Sequence, residues 1–190
     1  LFGKERVRNT PICESSIIEI AMGLSICNRK SIVELQFSDF ITSGFNPVVN
    51  YLAKVHYRWG QNADVVLRMP CGAGVGAGPF HSQTNEAWFT KTPGLVVVYP
   101  AFPEDAKGLL ISSIENPNPV LFFEHKALYR SIRGKVPEGY YNIEIGKAKL
   151  LKVGNDITVI TYGAGVHESI KVVDKNSIDC DLIDLRTLSP

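Results

Sequence analysis

Asp64-Val65-Val66-Leu67-Arg68-Met69-Pro70-Cys71-Gly72-Ala73-Gly74-Val75-Gly76-Ala77-Gly78-Pro79-Phe80-His81-Ser82-Gln83 joins an apolar, β-branched run to an alternating glycine tract that ends in a proline and a histidine. Residues 64–69 predict a buried strand. The glycines form neither helix nor strand without a free-energy cost, so the tract predicts a loop at the strand's carboxyl end, where open α/β sheets hold their ligands. His81, beside Ser82 and Gln83, is therefore a candidate for chemistry; the alternative is a structural loop with an idle surface histidine. Two known glycine motifs do not fit. Gly72, Gly74 and Ala77 match G-x-G-x-x-A, yet Pro79 stands where the helix should run and no acid closes a second strand about 20 residues on. No Lys-Ser or Lys-Thr follows the glycines, so the phosphate-loop pattern fails as well.

Outward from this stretch, strands and helices alternate. Residues 14–27 carry apolar side chains at 17, 18, 21, 22, 24 and 26, which predicts a helix buried on most of its surface. Residues 31–37 predict a strand. Asn46-Pro47 signals a helix start, with Asn46 as cap, and Val48, Val49, Leu52, Val55 and Trp59 make its apolar face up to Gly60. Beyond the loop, 83–90 predicts a short helix and 95–99 a continuous apolar strand of the parallel-sheet type. Pro103-Glu104-Asp105 opens a helix through Ile114, and 120–123 gives another buried strand. Residues 130–146 turn polar and read as an interdomain connection. A strand at 157–162, a helix at 166–173 and a strand at 181–185 complete one more unit. The expected fold class is α/β, a parallel sheet flanked by helices on both faces. The last unit is too small to be a domain by itself, so the chain reads as cut short within a second one.

At 190 residues and 45% apolar content, the chain has enough material for one core and part of another. Lys and Arg (20) nearly cancel Asp and Glu (19), which removes the electrostatic case for nucleic acid or an anionic membrane as partner. The densest basic stretch, 125–135, reads as a solvated linker. The four cysteines, at 13, 27, 71 and 180, show no C-x-x-C pair and no metal-finger spacing, and the first residues do not resemble a signal peptide, so a reducing compartment is the expectation. The longest apolar runs fall far short of the roughly 20 residues that span a bilayer.

Five ordered motifs carry a family resemblance: Asn9-Thr10-Pro11-Ile12-Cys13-Glu14, Glu34-Leu35-Gln36-Phe37-Ser38-Asp39-Phe40, the glycine loop ending in His81-Ser82-Gln83, Asp105-Ala106-Lys107-Gly108-Leu109-Leu110, and Asp184-Leu185-Arg186-Thr187-Leu188-Ser189-Pro190. Together they resemble the beta subunits of thiamine-diphosphate-dependent 2-oxo acid dehydrogenases. Gln36-Phe37-Ser38-Asp39-Phe40 and Phe122-Phe123-Glu124-His125-Lys126 lean toward the branched-chain members. The resemblance implies a pyrimidine-binding module at 1–135, a linker at 136–145 and the start of a transketolase C-terminal-like domain at 146–190. It implies oxidative decarboxylation of a branched-chain 2-oxo acid of the 2-oxoisovalerate type, with acyl transfer to a lipoyl group. The alternatives are a pyruvate or acetoin enzyme, and a noncatalytic scaffold of the same fold. No G-D-G followed by a distant Asn is present, so the cofactor's diphosphate and its Mg2+ fall to an alpha-type subunit or the alpha half of a fused chain. A second beta-type chain, a lipoyl-bearing dihydrolipoyl acyltransferase and a 2-oxo acid substrate are the other implied partners. The bacterial cytoplasm or the mitochondrial matrix is the implied location.

The same resemblance assigns individual residues. Glu14 matches the carboxyl group that hydrogen-bonds the far nitrogen of the aminopyrimidine ring and drives its imino tautomer, a task suited to a half-buried acid. Its plain alternative is a helix-terminal carboxylate favoured by the dipole. Phe40 matches the aromatic that stacks on that ring, a geometry that contributes about 0.5–1.5 kcal/mol beyond area burial, although it equally suits a core position. Ile12 and Gln36 match neighbours of the ring. His81 matches a proton donor for the steps after cofactor activation. Val65, Ser113, Asn116 and Asn118 match a potassium site built largely from main-chain oxygens, with Asn116 standing where Asp is common.

Overall fold

The computed structural model describes residues 1–190. The first sheet takes β1 (Ser31–Glu34), β2 (Val65–Cys71), β3 (Val96–Val98) and β4 (Val120–His125), ordered β1-β2-β4-β3 and parallel throughout. Because successive strand residues face opposite sides, β2 divides its side chains between two cores. Val65, Leu67, Met69 and Cys71, with Leu121 and Phe123, pack on Ile18 and Ala21 of α1 (Glu14–Ile26) and on Val48 and Leu52. Val66, with Val96, Val98, Val120 and Phe122, packs on Leu109 of the helix Pro103–Glu115. All of these strand side chains are buried, and each contributes on the order of 2 kcal/mol of hydrophobic stabilisation.

The predicted helix after Asn46 begins differently from the expectation. Asn46 is itself helical (φ −58°, ψ −51°) and caps nothing; its side chain accepts a hydrogen bond from Asn50. Pro47 has no N–H to donate, and Pro47–Leu52 take the wider π register before α2 (Ala53–Trp59) settles into α geometry and stops at left-handed Gly60 (φ 66°). Pro103–Glu115 is then α3, followed by the short α4 (Leu128–Ser131). Instead of a helix over 83–90 there is a single 3-10 turn at Glu86–Trp88, because Gln83 and Asn85 are held by Asp39 and Ser38.

The second sheet takes β5 (Lys149–Lys152), β6 (Ile157–Thr161) and β7 (Cys180–Asp184), ordered β5-β7-β6, with α5 (Ala164–Lys175) packing Val173 and Ile170 against Cys180 and Leu182. The expectation of parallel sheets needs correcting at two strands. β5 runs antiparallel to β7, and β8 (Thr187–Ser189) leaves the second sheet to pair antiparallel with β3. Only Leu185 and Arg186 separate β7 from β8, and Arg186 turns the chain at φ 58° as it passes from the second sheet to the edge of the first.

The polar segment 132–148 has no regular structure but is strapped to α3. Lys107 Nζ donates to the carbonyls of Pro137 and Gly139 at 2.6 and 2.8 Å, and Ile143 N donates to Ser112 Oγ at 3.0 Å. A Cβ at Gly108 would lie 2.7 Å from Ile143, so the strap needs a glycine there. Buried Asp105 joins the two sheets, accepting from Arg186 at 3.2 Å and from Lys149 at 3.5 Å. No helix is long and apolar enough to cross a membrane.

Asp184, at the end of β7, accepts from Arg186 N at 3.2 Å through Oδ1, while its buried Oδ2 has no partner. Burial raises its carboxyl to about 6. A raised carboxyl stabilises the fold while it is protonated, fully below the unfolded-state value, and that contribution disappears as pH rises through about 6. Asp184→Asn is therefore expected to be more stable than wild type at pH 7 by about 1–3 kcal/mol, with the difference vanishing below about pH 4. Urea unfolding of both proteins across this range checks it; a difference independent of pH would show that Asp184 does not titrate there.

Candidate active site

Three parallel strands end side by side at one edge, and the segment following each bends into the same region. After β1, Gln36 and Phe37 lead into a 3-10 turn at Ser38–Thr42 that carries Phe40. After β2 comes the glycine loop, and β4 ends in His125, followed by Lys126. Since α1 runs into β1 and packs back across the sheet, its first residue, Glu14, lies at this same edge.

The glycine tract is a loop, as its composition predicts. Gly72, Gly74, Gly76 and Gly78 all have positive φ, between 71° and 92°. The loop is pinched at its base, where Gly72 N donates to Gln83 O at 2.8 Å, and Gln83 N donates to buried Asp39 at 3.1 Å. His81 sits in a short 3-10 turn at Pro79–His81. Its ring meets Phe37 edge-on with centroids 4.9 Å apart, and Phe40 edge-on at 5.6 Å. Phe37 and Phe40 are themselves 6.0 Å apart, so the three rings form one cluster.

Glu14 is half-buried, and Ser43 connects it to this cluster. Ser43 Oγ lies 3.1 Å from Glu14 Oε2, to which it donates, and 3.1 Å from Phe40 O. Glu14, Phe40 and His81 are thus brought to one place. Ile12 is 87% exposed just before α1, and Gln36 is exposed at the end of β1, both open to a ligand or partner chain at the same edge. Phe80, on the rim of the glycine loop, is also exposed. Val65, Ser113, Asn116 and Asn118 lie elsewhere, at the amino edge, where β2 begins and α3 gives way to β4.

Lys126 and His125 correct the reading of 125–135 as a solvated linker. Lys126 is only 8% exposed, donates from Nζ to His81 O at 2.7 Å and lies 4.7 Å over the Phe37 ring. Its ammonium therefore fixes the main chain of His81 and leaves the imidazole free. The His125 ring rests on Gly72, where a Cβ would stand 2.2 Å from Nε2, so this position must be glycine. Burial, then the neighbouring Lys126, lower the His125 pKa, which keeps the ring neutral at neutral pH. The signal for both residues was their position two and three residues beyond the buried run 120–123, at a strand's carboxyl end. Cys71 is not a nucleophile: burial pushes its thiol up to about 12, and it lies 2.9 Å from the Tyr99 hydroxyl.

This arrangement offers a half-buried acid, an aromatic cluster and a histidine around an open apolar rim, a surface suited to a flat heteroaromatic ring with one polar edge. The chain is 43% identical over 194 residues to the 2-oxoisovalerate dehydrogenase subunit beta of Bacillus subtilis, a match covering 100% of this chain and 59% of that protein. It is 45% identical to the mitochondrial 2-oxoisovalerate dehydrogenase subunit beta of Dictyostelium discoideum, covering 100% of this chain and 53% of that one. It is 44% identical to the pyruvate dehydrogenase E1 component subunit beta of Staphylococcus epidermidis, covering 100% and 60%. The chain thus spans somewhat more than half the length of these relatives. Its fold matches the solved structure of a split gene transketolase, an inactive beta4 tetramer, with TM-score 0.75 over 96% of this chain and 58% of that one, at 23% identity. Residues 146–190 match the C-terminal domain of transketolase. Residues 2–131, which contain every residue of the cluster around Glu14 and His81, match the transketolase pyrimidine binding domain, and the chain belongs to that family.

Proposed function

We propose that the chain is the beta-type part of the decarboxylating component of a 2-oxo acid dehydrogenase, and that it supplies the pyrimidine-facing half of a thiamine diphosphate site. The observation that carries this is the convergence of Glu14, Phe40 and His81 through Ser43 at one sheet edge. When bound, thiamine diphosphate supplies the electron sink for breaking the bond between a 2-oxo carbon and its carboxylate. Glu14 would hold a proton at the far nitrogen of the pyrimidine, with Ser43 fixing the carboxyl's orientation. Phe40 would lie against the ring and exclude water from it. Exposed Ile12 and Gln36 would complete its surroundings, the amide addressing polar ring atoms. His81, presented by the glycine loop, would donate a proton to the substrate's oxygen or to the sulfur of an accepting lipoyl group.

An alpha-type subunit, or the alpha half of a fused chain, would hold Mg2+ and the diphosphate. A second beta-type chain and a lipoyl-bearing dihydrolipoyl acyltransferase would complete the assembly. The isolated chain is accordingly expected to bind thiamine diphosphate and Mg2+ weakly or not at all in calorimetry; submicromolar binding would show a whole site rather than a half.

The favoured substrate is a branched-chain 2-oxo acid. Pyruvate is the second reading, because relatives bearing both names stand at 43–45% identity. The test is reconstitution with an alpha-type subunit and a lipoyl-bearing acyltransferase. Faster oxidation of 2-oxoisovalerate than of pyruvate supports the first reading, and the reverse order the second. Assembly without oxidation of either, or of acetoin, would leave a scaffold of this fold.

A further inference from the structure

The carbonyls at the carboxyl end of α3 already have a cation. Lys30 stands just before β1, and its Nζ donates to Ile114 O at 2.8 Å and to Asn116 O at 3.4 Å. The same ammonium pairs with Asp64 Oδ2 at 3.3 Å. The ammonium thus donates to two carbonyls and is charge-matched by one carboxylate. Asp64 is a built partner rather than a chance one. Its side chain is 13% exposed, its Oδ1 accepts from Ser25 Oγ, and its main-chain N donates to the same hydroxyl at 3.0 Å.

These contacts share one position, and otherwise adjoin those, that the family resemblance assigns to a bound potassium ion. Asn116 is shared, Ile114 lies between Ser113 and Asn116, and Asp64 adjoins Val65. The side chains of the set are turned to other uses. Ser113 Oγ, buried, donates back to Leu109 O at 2.7 Å, and Asn116 Oδ1 accepts from Asn118 N at 2.9 Å and Nδ2 at 3.0 Å. The charges have moved in the same sense. Asn116 is neutral where an aspartate is common, and the negative charge stands instead at Asp64, already matched by Lys30. A free potassium ion placed among these carbonyls would sit beside a fixed like charge, which raises its free energy. The carbonyls still need a positive partner, since the last turn of a helix leaves them without intrahelical donors and carries partial negative charge.

We propose that Lys30 is a tethered cation that takes the place of the potassium ion, so that this chain folds and assembles without potassium. A free ion fits poorly here because the Asn116 carbonyl is already taken by a fixed ammonium that the ion would have to sit beside. Half-exposed lysine–carboxylate pairs contribute little by themselves. Here the ammonium also closes two helix-end carbonyls, and the tether holds it there at any salt composition.

The proposal rests on the Lys30 contacts and not on the proposed decarboxylation, and its test reads stability rather than activity. Thermal unfolding of the full chain is compared in KCl, NaCl and choline chloride at matched ionic strength. Wild type is expected to unfold at the same temperature in all three. Lys30→Met is expected to lose about 5 °C in choline chloride, the size that a charge-assisted anchor contributes in a chain of this length, and to recover most of it in KCl but not in NaCl. Stabilisation of the wild type by potassium over choline overturns the proposal even if the variant fails to fold. So does a variant that loses nothing, or one whose loss potassium does not restore.

Discussion

Glu14→Gln is expected to lower 2-oxo acid oxidation by the reconstituted enzyme by at least about 10³-fold, toward the upper end of what one acid–base group contributes, because all later steps depend on the proton it handles. The isolated chain should keep its thermal midpoint. Glu14 is half-buried and takes part in no ion pair, and the amide oxygen of glutamine can still accept the 3.1 Å hydrogen bond from Ser43. What glutamine cannot do is give and take a proton at that atom. The pairing of an unchanged melting curve with lost turnover separates this role from a helix-end carboxylate, whose removal would shift stability slightly and leave the rate alone. Near-normal turnover with an intact fold would remove Glu14 from the reaction.

The second large effect is expected at His81. His81→Ala should reduce oxidation with the lipoyl partner by roughly 10²-fold or more, the usual weight of a placed general acid. The loop itself should survive the change. Lys126 is bonded to the main-chain oxygen of His81, Ser82 Oγ to Gly78 O and Gln83 N to Asp39, and none of these uses the imidazole. Cofactor binding by the assembled enzyme, and exchange of the cofactor's thiazolium proton with deuterium, should stay close to wild type, because Glu14 and Phe40 remain. Loss of that exchange alongside normal acyl transfer to the lipoyl group would place His81 in a different step from the one assigned here.

How far the sequence foretold this site follows from sequence distance. Glu14, Phe40 and His81 each carry a local signal: a helix start, an aromatic just beyond a strand, a histidine closing a glycine tract. The strands, at 31–37, 64–69, 95–99 and 120–123, were legible because β-branched apolar runs have few other uses in a parallel sheet. Ser43, Lys126 and His125 were not legible, since their importance lies in contacts with Glu14, His81 and Gly72. The last two contacts exist only because β4 lies beside β2, and the first only because α1 packs back on the segment after β1. No spacing in the chain encodes that order. The basic stretch 125–135 misled for the same reason: Lys126 resembles any solvated lysine until its neighbour across the sheet is known. Lys30 is a similar case, one cation among twenty in the sequence and tied to carbonyls some 84 residues away only by the fold.

β8 gives the architecture a further meaning. Three residues from the far end of the chain seal the open flank of β3, whose Val96-Val97-Val98 would otherwise present bare amide and carbonyl groups on an apolar ribbon. Such ribbons recruit other chains by strand addition. A boundary drawn through the polar strap therefore marks a change of sheet but not a place to cut. Residues 1–135 made alone would carry a sticky flank, and insolubility of that piece would reflect the missing clasp rather than a failure of its own core.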